Sequence, residues 1–358
     1  MDLAGLLESD ASLAAEAGRL RLDPDYSFPL LSAKLKLTWR CNLRCRVCSL
    51  WRLGLSQTAG NEPLTPGRVA GVLKYLKRRG LRKVHFSGGE VLLRPDLEEI
   101  VRTAADLDLQ VNLTTNGTLL DRDQARMLVE ARVHTVALSM DGASGRQHDE
   151  MRGVKGAWRL TWKGLERLRE RKEQKGHGPV IAVNTIVTRK NIERLSELYR
   201  LLEDRGVETW RLLPVRTPDK KLRPTSRQWA RAAQVWEEWK PLLTRGLTGW
   251  RSPLEAVKAA KGRYAGRAFA DSFCYAPWFN VFIDADGSVS PCCTGRWKMP
   301  KYGSLLSSSL DQVLASETRR EICSSLASGH LYEICRSCEE FREENEAFAR
   351  TAEKEVSG

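Results

Sequence analysis

Lys34-Leu35-Lys36-Leu37-Thr38-Trp39-Arg40-Cys41-Asn42-Leu43-Arg44-Cys45-Arg46-Val47-Cys48 is the stretch on which the fold turns. Lys34 to Leu37 reads as a short strand, and the three cysteines follow on the loop at its C-terminal end. Three thiolates so spaced can close around one face of a metal cluster, and thiolates suit iron–sulfur clusters and zinc alike. Zinc wants a fourth ligand, and no nearby His or Cys supplies it. On a four-iron cluster, three ligands leave one iron open for a substrate or cofactor.

Outward from that loop, the chain from about Lys34 to Val215 alternates strand-like and helix-like stretches. The further strand candidates are Arg82 to Phe86, Gln110 to Thr114, Val133 to Ser139, Val180 to Val187 and Val207 to Leu213. Thr65-Pro66 opens a helix with Val69, Val72, Leu73 and Leu76 on one face, and Gly80 closes it. Asn191 is expected to cap another, whose face is Leu195, Leu198, Leu201 and Leu202, closed by Gly206. Repeated βα units imply an α/β fold with a parallel sheet. Six strands are too few for a complete eight-stranded barrel, which leaves a partial barrel or an open sheet. Either form collects ligands at the C-terminal strand ends.

The remaining composition narrows the class. Of 358 residues, 42% are apolar and 29% charged, which excludes a fibrous or wholly disordered chain. No run approaches the roughly 18 apolar residues of a membrane span, and no export signal precedes Glu8 and Asp10. A cytoplasmic protein with no membrane partner is expected. Its net charge of +13 is spread over helix-like stretches such as Lys74 to Arg79, so a solvated basic surface is expected and no nucleic-acid partner. Nine cysteines without an export signal point to metal or redox use rather than disulfides.

Further motifs follow the strands in order. Ser87-Gly88-Gly89-Glu90 ends the second, Thr115-Asn116-Gly117 the third, and Ser139-Met140-Asp141-Gly142 the fourth. His148-Asp149-Glu150-Met151-Arg152-Gly153 comes next. With C-x3-C-x2-C after the first strand, this succession resembles the radical S-adenosylmethionine (SAM) superfamily. The resemblance implies a partial (β/α)6 barrel, a 4Fe–4S cluster on Cys41, Cys45 and Cys48, and SAM chelated at its open iron. It further implies that Ser87, Gly88, Gly89 and Glu90 hold the SAM amino group, where glycines permit close backbone approach and Glu90 accepts from an ammonium. Ser139 and Asp141 are expected at the ribose, Arg152 at the SAM carboxylate, and Asn184 and Leu213 beside the adenine, with Asn116 also at the cofactor. Val47 departs from the family's usual aromatic before the third cysteine, which puts a side-chain stack on adenine in doubt.

A second cysteine group spans Cys274, Cys292 and the pair Cys335 and Cys338, with Gly287 inside a hairpin-like Asp286-Gly287 turn. Four thiolates in two pairs form a closed set that zinc or a four-iron cluster would fit. The C-x12-G-x4-C spacing followed by C-x2-C resembles the SPASM and shorter twitch extensions of the same superfamily. That implies a second, auxiliary 4Fe–4S cluster, closed by four cysteines and suited to electron transfer. Cys293 and Cys323 then remain outside both sets, as buried small hydrophobes or as hydrogen-atom donors to a substrate radical. His85, His134 and His148 are base candidates by position only, the first two in strand patterns.

The organisation expected is an N-terminal extension (1–33), a radical SAM partial barrel (34–221), a helical linker region (222–270), a SPASM/twitch-like α+β extension (271–338) and a charged C-terminal tail (339–358). The resemblance implies reductive cleavage of SAM to a 5′-deoxyadenosyl radical that abstracts a hydrogen atom from a substrate. An electron donor such as flavodoxin or ferredoxin is the expected partner. Only about 33 residues precede the first strand, which reads as absence of the N-terminal recognition domain of peptide-modifying relatives. The expected substrate is therefore a polar small molecule of sugar or aminocyclitol type, oxidised or epimerised. A peptide is the alternative; an RNA-modifying enzyme and a non-catalytic metal-binding protein are the lesser ones.

Overall fold

The computed structural model describes residues 5–6, 9–23, 27–55, 62–239, 274–296, 298–338 and 341–357. Helix α1 (Ala11–Leu22) leads to strand β1 (Ser32–Lys36). Then α2 (Pro66–Arg78), β2 (Lys83–Ser87), α3 (Leu97–Asp106), β3 (Gln110–Thr115), α4 (Arg122–Glu130) and β4 (Thr135–Ser139) alternate. They continue with α5 (Gly145–Arg152), α6 (Ala157–Lys175), β5 (Val180–Val187), α7 (Leu195–Glu203), β6 (Thr209–Pro214) and α8 (Ser226–Trp239). All six strands pair in parallel in the order β6-β5-β4-β3-β2-β1, as the alternation predicts.

Alternation along the strands sorts the two faces of the sheet. Leu35, Val84, Phe86, Val111, Leu113, Val136, Leu138, Ile181, Val183, Trp210 and Leu212 join the apolar faces of the helices in one core. Thr65 caps α2 by accepting from Arg68 N, and its buried face is the expected Val69, Val72, Leu73 and Leu76. The other face carries Lys34, Lys36, His85, Ser87, Asn112, Thr114, Ser139, Asn184 and Arg211, and it stays partly open. A polar concavity is what a ligand-holding sheet needs on its inner side.

The chain then returns to the same sheet. After a short helix α9 (Ala276–Phe279), strand β7 (Asn280–Ile283) pairs in parallel with β1, Leu35 opposite Ile283. Strands β8 (Ser288–Ser290) and β9 (Gly303–Ser304) extend it antiparallel to nine strands. The β7–β8 turn is the Asp284–Gly287 segment, with Gly287 at φ +77°. Helices α10 (Leu310–Leu314), α11 (Glu317–Ala327) and α12 (Arg342–Ser357) complete the described chain.

Two expectations need correction. Residues 342–357, where a charged segment, frayed helix or tail, was expected, form a packed helix. Phe348 is fully buried, stacked 5.0 Å from Tyr275 and 5.1 Å from Phe279, and a second core joins it to Leu13, Ala17 and Leu20 of α1. The charged residues hid this because Asn345, Phe348 and Thr351, three apart, carry the buried stripe. Asn191 precedes the 3-10 turn Ile192–Arg194 that leads into α7, but its side chain makes no cap: its Oδ1 accepts from Thr188 N, and its Nδ2 donates to the carbonyls of Asp141 and Ile186, tying the β4 end to the β5 end. The helical linker expected at 222–270 holds for α8, and its remainder lies outside the described residues. Among the described residues no helix is long and apolar enough to cross a membrane.

Candidate active site

The cysteine loop after β1 is held from two sides by backbone. On one side Gly89 N donates to Thr38 O and Glu90 N to Arg40 O, both at 2.7 Å, so the segment after β2 continues the ladder up to Cys41. On the other side Arg44 N donates to Arg152 O (3.0 Å) and Arg46 N to Met151 O (2.9 Å), at the end of α5. Within the loop Cys48 N donates to Cys45 O, Trp51 Nε1 to the same carbonyl, and Leu43 N to Cys41 Sγ. Glycines make both approaches possible. A Cβ on Gly89 would lie 2.2 Å from Arg40 O, and one on Gly153 2.3 Å from Arg44 O. The close approach expected of Gly88 and Gly89 is therefore to the strand leading into Cys41.

Glu90 is buried, and its carboxylate accepts from Leu92 N, Thr115 Oγ1 and Asn116 N. A buried carboxylate needs such donors, since burial alone pushes its pKa up. It joins the β2 end to the β3 end, where an ammonium contact was expected of it. Asn116 carries the link on to the cysteine loop, its Nδ2 donating to Asn42 Oδ1 at 2.8 Å. Asp141 is likewise committed: 1% exposed, it accepts from Ile186 N and pairs with Arg152 Nη2 at 2.9 Å. That leaves Ser139, half-buried on the inner face, as the residue of its motif open to a ribose. Burial would lower the Arg152 guanidinium, but Asp141 and Cys45 beside it raise its pKa, and Nη1 lies 3.9 Å from Cys45 Sγ. Arg152 thus stands at the cluster loop as well as at the expected carboxylate site. His148 is fully buried with Nδ1 accepting from Asp141 N, and burial followed by Arg152 pulls its pKa down to about 2.

Fit to the implied cofactors rests on several observations. Burial first, with Cys45, Glu90 and Cys48 beside it, raises the Cys41 thiol to about 11, so three thiolates at this loop call for positive charge between them. Among the described residues, Asn184 Oδ1, Arg152 Nε and His148 Nε2 are buried without a hydrogen-bond partner. Asn184 stands opposite Ser139 across the β4–β5 ladder, with Leu213 half-buried on β6. Polar atoms so left suit a polar ligand at the C-terminal ends of β4 and β5. His85 sits in β2, bonded to Thr114, and His134 is exposed.

The second cysteine group lies behind β7. Burial raises the thiols of Cys274 and Cys292; Cys338 is the next influence on both, followed by Cys335 and Cys323 at Cys274 and by Cys293 and Cys274 at Cys292. Gly295 N donates to Cys292 Sγ and Cys338 N to Cys335 O, fixing both ends of the set. Asn345 Oδ1 accepts from Tyr275 N, which anchors the residue after Cys274. Cys335 and Cys338 are buried, Cys274 and Cys292 half-buried, and Cys338 acts on both of the latter, a grouping that fits a cluster's ligand set. Cys293 turns the other way, its Sγ 3.9 Å from Lys34 Nζ on the barrel's inner face. Cys323 is 2% exposed inside the second core, so as a hydrogen-atom donor it is misplaced, and Cys293 alone keeps that expectation.

The junction of the two parts holds groups not singled out from the sequence. Trp39 Nε1 donates to Asp284 Oδ1 at 2.7 Å, and Asp284 pairs with Arg296. Lys36 on β1 lies within electrostatic reach of Asp284, Arg296, Cys48 and Cys293, and burial with Arg296 lowers its pKa to about 8. Its sequence signal is the alternation Lys34-Leu35-Lys36-Leu37, which sends two lysines to one face.

A parallel partial barrel with three cysteines on its first loop, joined through its own sheet to a four-cysteine domain, defines an iron–sulfur protein with a ligand concavity. Residues 35–202 match the family described as the radical SAM superfamily, and residues 274–339 match SPASM, an iron–sulfur cluster-binding domain. The chain belongs to the radical SAM superfamily and carries a C-terminal SPASM-type domain. Its cofactors are accordingly a SAM-binding 4Fe–4S cluster, SAM, and auxiliary iron–sulfur. It is similar to the AdoMet-dependent heme synthase of Oleidesulfovibrio alaskensis, 32% identical over 58% of this chain and 50% of that protein. The PqqA peptide cyclase of Gluconobacter oxydans is 33% identical over 50% of this chain and 47% of that protein. The chain thus spans about half the length of the curated relatives it matches. In fold it resembles Streptococcus suis SuiB bound to SAM, with a TM-score of 0.67 at 17% identity over 86% of this chain and 71% of that one.

Proposed function

We propose that the protein is a peptide-modifying radical SAM enzyme. Cys41, Cys45 and Cys48 hold the SAM-binding cluster, and Cys274, Cys292, Cys335 and Cys338 hold one auxiliary 4Fe–4S cluster. Ser87, Ser139, Asn184, Leu213 and Arg152 line the SAM site, while Glu90, Asn116 and Asp141 hold its walls. When bound, the clusters and SAM supply the radical that removes a hydrogen atom and the route by which an electron leaves. The chain's own contribution is a rigid cysteine loop, a polar concavity to orient the substrate, and Cys293 as the thiol nearest it. An external donor such as flavodoxin or ferredoxin completes the proposal.

The observation that carries the substrate class is the likeness to a peptide cyclase over half of each chain. A SuiB structure of the same fold holds a precursor peptide, which supports a concavity able to take one in this architecture. The sugar or aminocyclitol expectation is weakened by the strands themselves. None of β1 to β6 carries an Asp or Glu that would hold an amine. A second reading, a tetrapyrrole substrate, is favoured by the identity to heme synthase.

The test is anaerobic reconstitution of the wild type and of a Cys41, Cys45, Cys48 triple Ala variant, with iron counting, nucleoside assay and mass analysis of pooled short peptides. About eight irons in the wild type and about four in the variant are expected. Wild type alone should form 5′-deoxyadenosine and remove a pair of hydrogen atoms from a peptide. Nucleoside from both proteins would refute the reading, and consumption of a tetrapyrrole with no peptide altered would replace it with the second.

A further inference from the structure

We propose that Lys36 is the substrate anchor, holding a carboxylate of the molecule that enters the concavity between the two cysteine sets. The proposal deepens the peptide reading and rests on it, by requiring an acidic side chain or free carboxylate in the bound segment.

Three observations carry it. Lys36 is strand-borne and faces inward, because Leu35 and Leu37 on either side are buried in the outer core. Among the described residues it makes no hydrogen bond or ion pair, although it stands near Cys48 of the first set and Cys293 beside the second. The inner face of the strands is basic. The strands β1 to β6 contribute Lys34, Lys36 and Arg211 to the inner face and no acid, and across the junction Asp284 is already paired with Arg296. An inner wall of that charge repels amines and draws an anion, and a lysine on a strand offers a fixed point for it. Burial first, and Arg296 after it, lower the Lys36 pKa against the opposing influence of Asp284, Cys48 and Cys293.

The experiment measures binding to the iron-loaded, SAM-bound protein by calorimetry. The probes are an acetylated, amidated tripeptide with a central glutamate, the same peptide with glutamine, and glutarate. Wild type, Lys36→Gln and Lys36→Arg are compared at equal iron content. Wild type is expected to prefer the glutamate peptide at least about tenfold, as a charge-assisted bond would give. Lys36→Gln should abolish the preference and Lys36→Arg should keep most of it. Equal binding of the two peptides by wild type overturns the anchor while leaving a peptide substrate intact, and that comparison stands even if a variant misfolds. Glutarate bound in a Lys36-dependent way, with neither peptide bound, keeps the anchor and removes the peptide. Binding of no probe overturns it. So does a shifted midpoint potential of the first cluster in Lys36→Gln with the glutamate preference unchanged, which would assign the charge to the cluster.

Discussion

Gly153 is the point at which a single methyl group should detach the cysteine loop from the barrel. It ends α5 at φ +71°, and a Cβ there would meet Arg44 O at 2.3 Å and Arg44 C at 2.8 Å. Ordinary contacts begin at 3.4 Å, so the Arg44 carbonyl, in the peptide link to Cys45, must retreat by about 1 Å. Two costs add in Gly153→Ala: about 1–2 kcal/mol for a side chain in the left-handed region and about 1–3 kcal/mol for overpacking. Gly156 separates them. It has φ +87° and nothing within 4 Å, so Gly156→Ala carries the first cost alone. Gly71, exposed within α2 with open space around it, is the third arm, and Gly71→Ala should stabilise by about 0.5–1 kcal/mol. Urea melts of the reconstituted proteins give these differences, while iron content and the rate of 5′-deoxyadenosine formation report the loop. An ångström of misplacement is worth about a hundredfold in rate, so Gly153→Ala should lose about that much together with iron at the first site. Gly156→Ala should keep both. If Gly153→Ala retained full iron and a wild-type rate, the loop would not be held by α5, and the reasoning would fail.

Removing Arg152 should be costly for a different reason, because Asp141 would be left buried and uncompensated. Arg152→Met is expected to destabilise by about 3–5 kcal/mol in urea melts, and the double variant with Asp141→Asn should recover part of that. His148 makes stability depend on acid. Its folded pKa lies near 2 against an ordinary 6.5, so only the unfolded chain takes up a proton as pH falls below 6.5. Between pH 7.5 and 5.5 this residue should cost about 1.4 kcal/mol of stability, and His148→Asn, which keeps an acceptor for Asp141 N, should flatten that slope in the same melts.

Local patterns made most of the barrel legible. Each strand leans on residues that alternate, and α2 carries its cap, its buried face and its closing glycine within one short stretch. What the motifs do was less legible, because a motif names residues without saying which neighbour they meet. Glu90 and Asp141 read as ligand contacts, and both are buried with oxygens accepting from neighbouring strands, Asp141 pairing also with Arg152 of α5. Gly89 reads as room for a cofactor, and the room is taken by the backbone before Cys41. The C-terminal stretch misled for a related reason: its charges dominate the composition, while the buried Asn345, Ala347, Phe348 and Thr351 decide its packing.

The pairing of β7 with β1 lies beyond any local signal, since Asn280–Ile283 reads as one arm of a hairpin and meets the barrel only through long-range closure. Its consequence is functional. The four-cysteine domain is part of the barrel's own sheet, so the second set is fixed relative to the first by backbone hydrogen bonds. Lys34 and Lys36 stand on the strand shared by the two halves, Lys34 beside Cys293 and Lys36 within electrostatic reach of Cys48 and Cys293. A substrate held there is positioned against both sets by one rigid element, and moving either domain would require breaking the β1–β7 ladder. The concavity therefore works as a fixed frame, and selectivity rests with the side chains that project into it.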